Sequence, residues 1–233
     1  MDTHILAIGG GGCYGPQGGP SKILRYFLDL TGKRFPKVCI IPTATGDSDQ
    51  TVNEYVRGFN RLAAHPNYLS LYHIPTRDLE DFIMDFDAVY VSGGNTKNLL
   101  ALWREWGLDE VLTDAWKAGI VMGGASAGGI CWFEEGSTDS WPNEYNPLKA
   151  LGILPGSFCP HFSDENKRRA SYLQMVEEGQ LSDGYGVSDR AALHYVNGEL
   201  THAVAEMEEA FVKRVTRDQS GKISEEPVDL RQL

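Results

Sequence analysis

"GIVMGGASAGGICWF", residues 119 to 133, carries an apolar run into a cluster of glycines and alanines with one serine at its centre. Gly124-Ala125-Ser126-Ala127-Gly128 fits G-x-S-x-G. After a strand and before a helix, that pattern forces a serine side chain out of a sharp turn, and small neighbours let a substrate carbonyl approach. The same composition suits a helix that crosses closely over a sheet, where small residues serve packing alone. The pentapeptide by itself is compatible with both, so its surroundings must decide.

Toward the N-terminus lie further strand-like runs: "HILAIG" (4–9), "KVCIIPTA" (37–44), "YLSLYHI" (68–74) and "FDAVYVSGG" (86–94), with "GIVMGGAS" (119–126) the fifth. Each is short, and most end in Gly, Ser or Thr. Between them, "SKILRYFLDL", "TVNEYVRGFNRLAA" and "LDEVLTDAWKAG" are helix-like. Ser21 stands at an N-cap position, with Ile23, Phe27 and Leu28 on one face. The alternation predicts an α/β fold, a mostly parallel sheet with helices on both faces, whose ligands lie beyond the carboxyl ends of its strands. After residue 180, "DGYGVSD", "AALHYVNGE" and "LTHAVAEM" are closely spaced strand-like pieces and predict a short antiparallel extension. No repeat or linker divides the chain. One domain is expected over residues 1–217, followed by a polar, loosely held tail over 218–233.

The chain has 233 residues, long enough to bury one core. Its 32 acidic and 21 basic residues give a net charge of −11, which repels nucleic acid and anionic membranes. "MDTHILAIGGGG" shows neither a basic leader nor a membrane-length apolar run, so a cytoplasmic location is expected. Cys13, Cys39, Cys131 and Cys159 form no CxxC pair and are expected as reduced thiols.

Three other stretches bear on chemistry. "AIGGGGCYGPQGGPSK" lacks the GxxxxGK[ST] spacing, and Pro16 and Pro20 interrupt the helix that would receive a pyrophosphate, so it reads as a turned loop at a cleft rim. In "CPHFSDENKRR", Pro160 fixes the approach of His161, and the polar residues after it suit a functional loop; of six histidines this one best suits a base for Ser126. In "GVSDRAAL", Asp189 ends a strand and is a candidate to orient His161, with Asp139 in "STDS" competing and an ordinary turn carboxylate the plainer reading. His161 follows Ser126 by only 35 residues, closer than α/β-hydrolases place serine and histidine.

"VSGGNTKNLL" (91–100), "GGASAGGICWF" (123–133), "LPGSFCPHF" (154–162) and "GYGVSDRAAL" (184–193), in this order and spacing, resemble the peptidase E family. These are aspartyl dipeptidases related to cyanophycinase, on a flavodoxin-like fold similar to class I glutamine amidotransferases. The resemblance covers nearly the whole chain up to about residue 217. It implies a serine peptidase without metal or cofactor, monomer or homodimer, acting on short peptides with an N-terminal aspartate. It makes Ser126 the nucleophile, His161 the base, and the Gly94 and Ala127 N–H groups the oxyanion hole, with Asn95 and Thr96 of "GGNT" among the substrate-binding residues. Asp139 matches an aspartate proposed as relay acid in peptidase E; Asp189 stands where cyanophycinase-like relatives carry a glutamate. The resemblance slightly favours Asp139 and keeps Asp189 as rival. Gripping an aspartyl side chain needs a cation, and Arg168 or Arg169 is the candidate, against a solvated helix face. The alternatives are a cyanophycinase-like β-Asp-Arg hydrolase and a non-catalytic amidotransferase-like binding protein.

Overall fold

The computed structural model describes residues 2–73, 76–163 and 167–233. Its centre is five parallel strands: β1 (His4–Ile8), β2 (Lys37–Ile41), β3 (His65–Tyr68), β4 (Ala88–Val91) and β5 (Val121–Ala125). Their spatial order is β1-β5-β4-β2-β3. Alternate residues of β1 feed opposite cores: Ile5 and Ala7 join one buried cluster, Leu6 and Ile8 the other. On one face pack α1 (Lys22–Asp29) through Ile23, Leu24 and Phe27, and α2 (Asp49–Arg61) through Tyr55 and Phe59. On the other lie α3 (Leu79–Met84), α4 (Thr96–Trp106) and α5 (Leu108–Lys117), which bury Ile83, Leu99, Trp103, Leu108 and Leu112. Burial on both faces explains why β1, β2, β4 and β5 read as apolar runs, whereas the edge strand β3 is polar and largely exposed. Ser21 caps α1, its side chain accepting from Leu24 N.

The expectation of one mostly parallel sheet is corrected, because the chain builds two mixed sheets. Beyond β1, β10 (Ala191–Val196) and β11 (Glu199–Ala205) continue the first sheet antiparallel, as anticipated. A second, six-stranded sheet is formed by β6 (Phe133–Trp141), β7 (Glu144–Lys149), β8 (Leu154–Cys159), β9 (Gly184–Val187), β12 (Val212–Arg217) and β13 (Ile223–Pro227). Under it, α7 (Lys167–Glu177) contributes Tyr172, Met175 and Val176 to a third apolar cluster with Cys159, Phe162 and Val215.

Three local expectations also change. The strand placed at 68–74 runs instead from His65 to Tyr68, with Ile74 outside the described residues. Past Tyr68 the chain turns, because Asp47 Oδ2 accepts from Leu71 N and Tyr72 N, and Ser70 Oγ accepts from His73 N. The helix opening at "AGGICWF" is a single turn, α6 (Ala127–Ile130). It stops there because the next carbonyls, Cys131 O and Trp132 O, accept from Leu151 N and Leu154 N and are drawn into the second sheet. The tail is not loose: β13 pairs with β12, and β14 (Leu230–Gln232) runs parallel to β11. A polar segment suits a sheet edge whose outer face meets water.

Candidate active site

Ser126 lies in the turn between β5 and α6, at φ 58° and ψ −113°. A positive φ is costly for a serine and survives only where surrounding structure imposes it. Here Ile8 O accepts from Ser126 N at 3.0 Å. A side chain on Gly124 or Gly128 would overlap Val91 O. Small residues thus let α6 cross the sheet in contact with β4, and Ser126 sits in a strained turn at that crossing.

His161 follows β8, also in the left-handed region at φ 51°, its N–H donating to Gly9 O at 3.1 Å. Its Nε2 is 2.9 Å from Ser126 Oγ, and its Nδ1 is 2.6 Å from Asp189 Oδ1. A carboxylate at Nδ1 selects the tautomer with the proton there, leaving the Nε2 lone pair for the serine hydroxyl. The hydrogen bond from His161, with the nearby charges of Arg190 and Arg168, holds the Asp189 carboxyl below the usual carboxylate range against the opposing effect of burial.

Asp139, favoured in the sequence as the partner of His161, stands elsewhere in this structure. Its carboxylate lies on Arg168, Nη2 to Oδ2 at 2.6 Å, because β6 carries it toward α7. Arg169 is committed as well, donating twice to Glu225 at 3.1 and 3.0 Å and lying over the Phe162 ring. Neither arginine presents an uncompensated cation. Asn95 caps α4, its Oδ1 accepting from Asn98 N, and donates through Nδ2 to Ser140 O. Thr96 is buried, with Thr138 Oγ1 donating to it. Gly93 stands against the nucleophile, where a Cβ would lie 3.3 Å from that of Ser126. Gly94 follows at φ 140°, and a side chain there would overlap Ala44 O. Of "DENKRR", Asp164, Glu165 and Asn166 lie outside the described residues. All four cysteines are buried and unpaired, and burial pushes the Cys159 thiol up to about 12.

The glycine-rich loop, expected at a cleft rim, has its first residues packed against the site. Three successive carbonyls, Ile8, Gly9 and Gly10, accept from Ser126 N, His161 N and Arg190 N. Arg190 then ties the loop down, donating through Nη1 to Tyr14 O at 2.6 Å and to Glu206 Oε1 at 2.8 Å. Glu206 Oε2 in turn accepts from Ser21 Oγ and Lys22 N at the start of α1. The signal was the unbroken "GGGG" directly after β1, a place where backbones approach too closely for side chains.

The fold is α/β, and Ser126, His161 and Asp189 stand in one hydrogen-bonded line. Residues 5–203 match the model of peptidase family S51, and the chain belongs to that family. It is 43% identical over 230 residues to "Uncharacterized peptidase YgaJ" of Bacillus subtilis (strain 168), covering 99% of each chain. It is 29% identical over 133 residues to "Peptidase E" of Shewanella amazonensis, covering 53% of this chain and 57% of that one. Among solved structures, a peptidase from an acI-B1 Actinobacterium superposes with a TM-score of 0.73 at 17% identity, over 99% of this chain and 95% of the other, a likeness of fold. Among the described residues no helix is long and apolar enough to cross a membrane.

Proposed function

We propose that the chain hydrolyses short peptides through Ser126, His161 and Asp189, by an acyl-enzyme. The observation that carries this is the continuous chain of contacts, Asp189 to His161 at 2.6 Å and His161 to Ser126 at 2.9 Å. His161 takes the serine proton, and Ser126 attacks the scissile carbonyl. The N–H groups of Gly94 and Ala127 hold the oxyanion, and the protonated imidazole passes its proton to the leaving amine. Water, activated by the same histidine, releases the acid product. Asp189 fixes the tautomer and stabilises the imidazolium.

Dipeptides with an N-terminal aspartate are the first substrates to try, supported by similarity to a protein named peptidase E. Against a strict aspartyl requirement stands the engagement of Arg168 and Arg169 with Asp139 and Glu225. The test is fluorophosphonate labelling with a panel of Asp-X, Glu-X, Ala-X and β-Asp-Arg peptides. Ser126 should be the labelled residue, and Ser126→Ala should lower kcat by about 10⁴ or more with an unchanged melting profile. Near-normal hydrolysis by Ser126→Ala would remove the serine mechanism.

A further inference from the structure

The segment between β11 and β12, residues 206–211, encloses a surface cavity of about 400 Å³ beside the relay pair. His161 and Asp189 line it, together with Met207, Glu209, Ala210 and Phe211. The relay pair is open to this space, with the Asp189 side chain 61% exposed and that of His161 36%. The segment is bonded to both chain neighbours of Asp189. Glu206 N donates to Arg190 O, Ser188 N donates to Phe211 O, and Phe211 N donates to Ser188 Oγ at 2.8 Å. Met207 packs on the main core, and Phe211 lies edge-on to Phe162, the residue after His161. Among the described residues that line the cavity, the one guanidinium, Arg190, is paired with Glu206. The other fixed charges are the carboxylates of Asp189 and the exposed Glu209.

In an acyl transfer the leaving amine takes its proton from the imidazole, so it must lie within hydrogen-bond reach of His161 Nε2. The Cα and side chain of the leaving residue then begin one bond further on, at the mouth of a cavity that the same imidazole lines. An aliphatic or aromatic side chain there exchanges water for Met207, Ala210 and Phe211. A carboxylate there meets Asp189 and Glu209 with no cation to offset them. We infer that this cavity receives the side chain of the leaving residue, so that the enzyme selects peptides in which the residue after the scissile bond is bulky and apolar and rejects those in which it is acidic. The inference rests on the serine-peptidase reading above. Met207 and Phe211 supply the attraction, Asp189 and Glu209 the repulsion.

The test uses the full chain with two dipeptide series, Asp-X and Ala-X, in which X is alanine, leucine, phenylalanine or glutamate. In whichever series is cleaved faster, leucine and phenylalanine should exceed alanine in kcat/KM by about 10- to 100-fold, and glutamate should fall below alanine. Met207→Ser should erase most of the leucine advantage, and Met207→Leu, which restores an apolar wall, should retain it. Glu209→Lys should raise glutamate by about 10-fold relative to alanine. A flat order in the wild type, or glutamate ahead of leucine, would overturn the inference. So would a Met207→Ser variant that loses activity equally on all four second residues, or one that keeps the leucine advantage whole. Failure of wild-type Ser126 to take the fluorophosphonate would defeat the parent mechanism instead, a result separate from these.

Discussion

Gly10 lies against the Asp189–His161 pair so closely that a Cβ on it would overlap Asp189 Oδ1 and stand 2.5 Å from His161 Nδ1. The glycine is thus part of the site through the atoms it lacks. Gly10→Ala should push the carboxylate off the imidazole and lower kcat/KM by about 100-fold, the usual result of misplacing a catalytic group by an ångström. Gly19→Ala in the same loop, where a Cβ meets nothing within 4 Å, should be silent. Parallel kinetics and melting curves of the two variants check this, and equal effects would show that loop stiffness, not the pair, is at stake.

Asp189→Asn keeps the side chain's size but selects the wrong histidine tautomer. Its kcat should fall by about 10³ to 10⁴ with KM nearly constant. Asp139→Asn should instead leave kcat little changed, because that carboxylate lies on Arg168 and not on His161. Steady-state kinetics of the two variants side by side decide between them, and a reversed pattern would return the relay role to Asp139.

Glu206 is almost wholly buried on its side chain, and Arg190 is its counter-charge. Arg190→Met should leave that carboxylate uncompensated and destabilise the fold by about 3–5 kcal/mol, read as a lower urea midpoint. Arg190→Met/Glu206→Gln should recover most of the loss, because no charge is then stranded. If the double variant is no more stable than the single one, the pair is not what anchors the loop.

His194 sits buried between His4 and His202, with Tyr26 Oη 2.8 Å from its Nδ1 and His4 Nδ1 3.1 Å from its Nε2. Burial, then the charges of its two histidine neighbours, pull its pKa down to about 4 from the ordinary 6.5. The unfolded chain therefore takes up a proton below 6.5 that the folded chain refuses until about 4. Stability from this group is present above that window and drains away as pH falls through it. His194→Gln should flatten the decline in urea midpoint between pH 7 and 4.5, while Asp189, which titrates lower, leaves this range untouched. An unaltered slope would place the acid sensitivity elsewhere.

What is legible in the chain alone is what depends on neighbouring residues. Apolar runs closing on small residues gave the buried parallel strands, and Ser21 before an amphipathic stretch gave the cap of α1. G-x-S-x-G at a strand end marked Ser126 because the turn, the serine and the small neighbours are contiguous. Whatever depends on pairing between distant segments appears only once the chain is folded. Short strands such as "STDS" and "GYGV" carry no mark of which sheet they join, so the second sheet stayed hidden until β8 had paired with both β6 and β9. The choice between Asp139 and Asp189 was hidden for the same reason: both are single carboxylates in turn-like contexts. Only the crossing of β6 toward α7, and of β9 toward the end of β1, sets one on Arg168 and the other on His161. The glycines after β1 became legible last, since what requires them is a close approach of backbones and side chains from segments about 150 and 180 residues further along the chain.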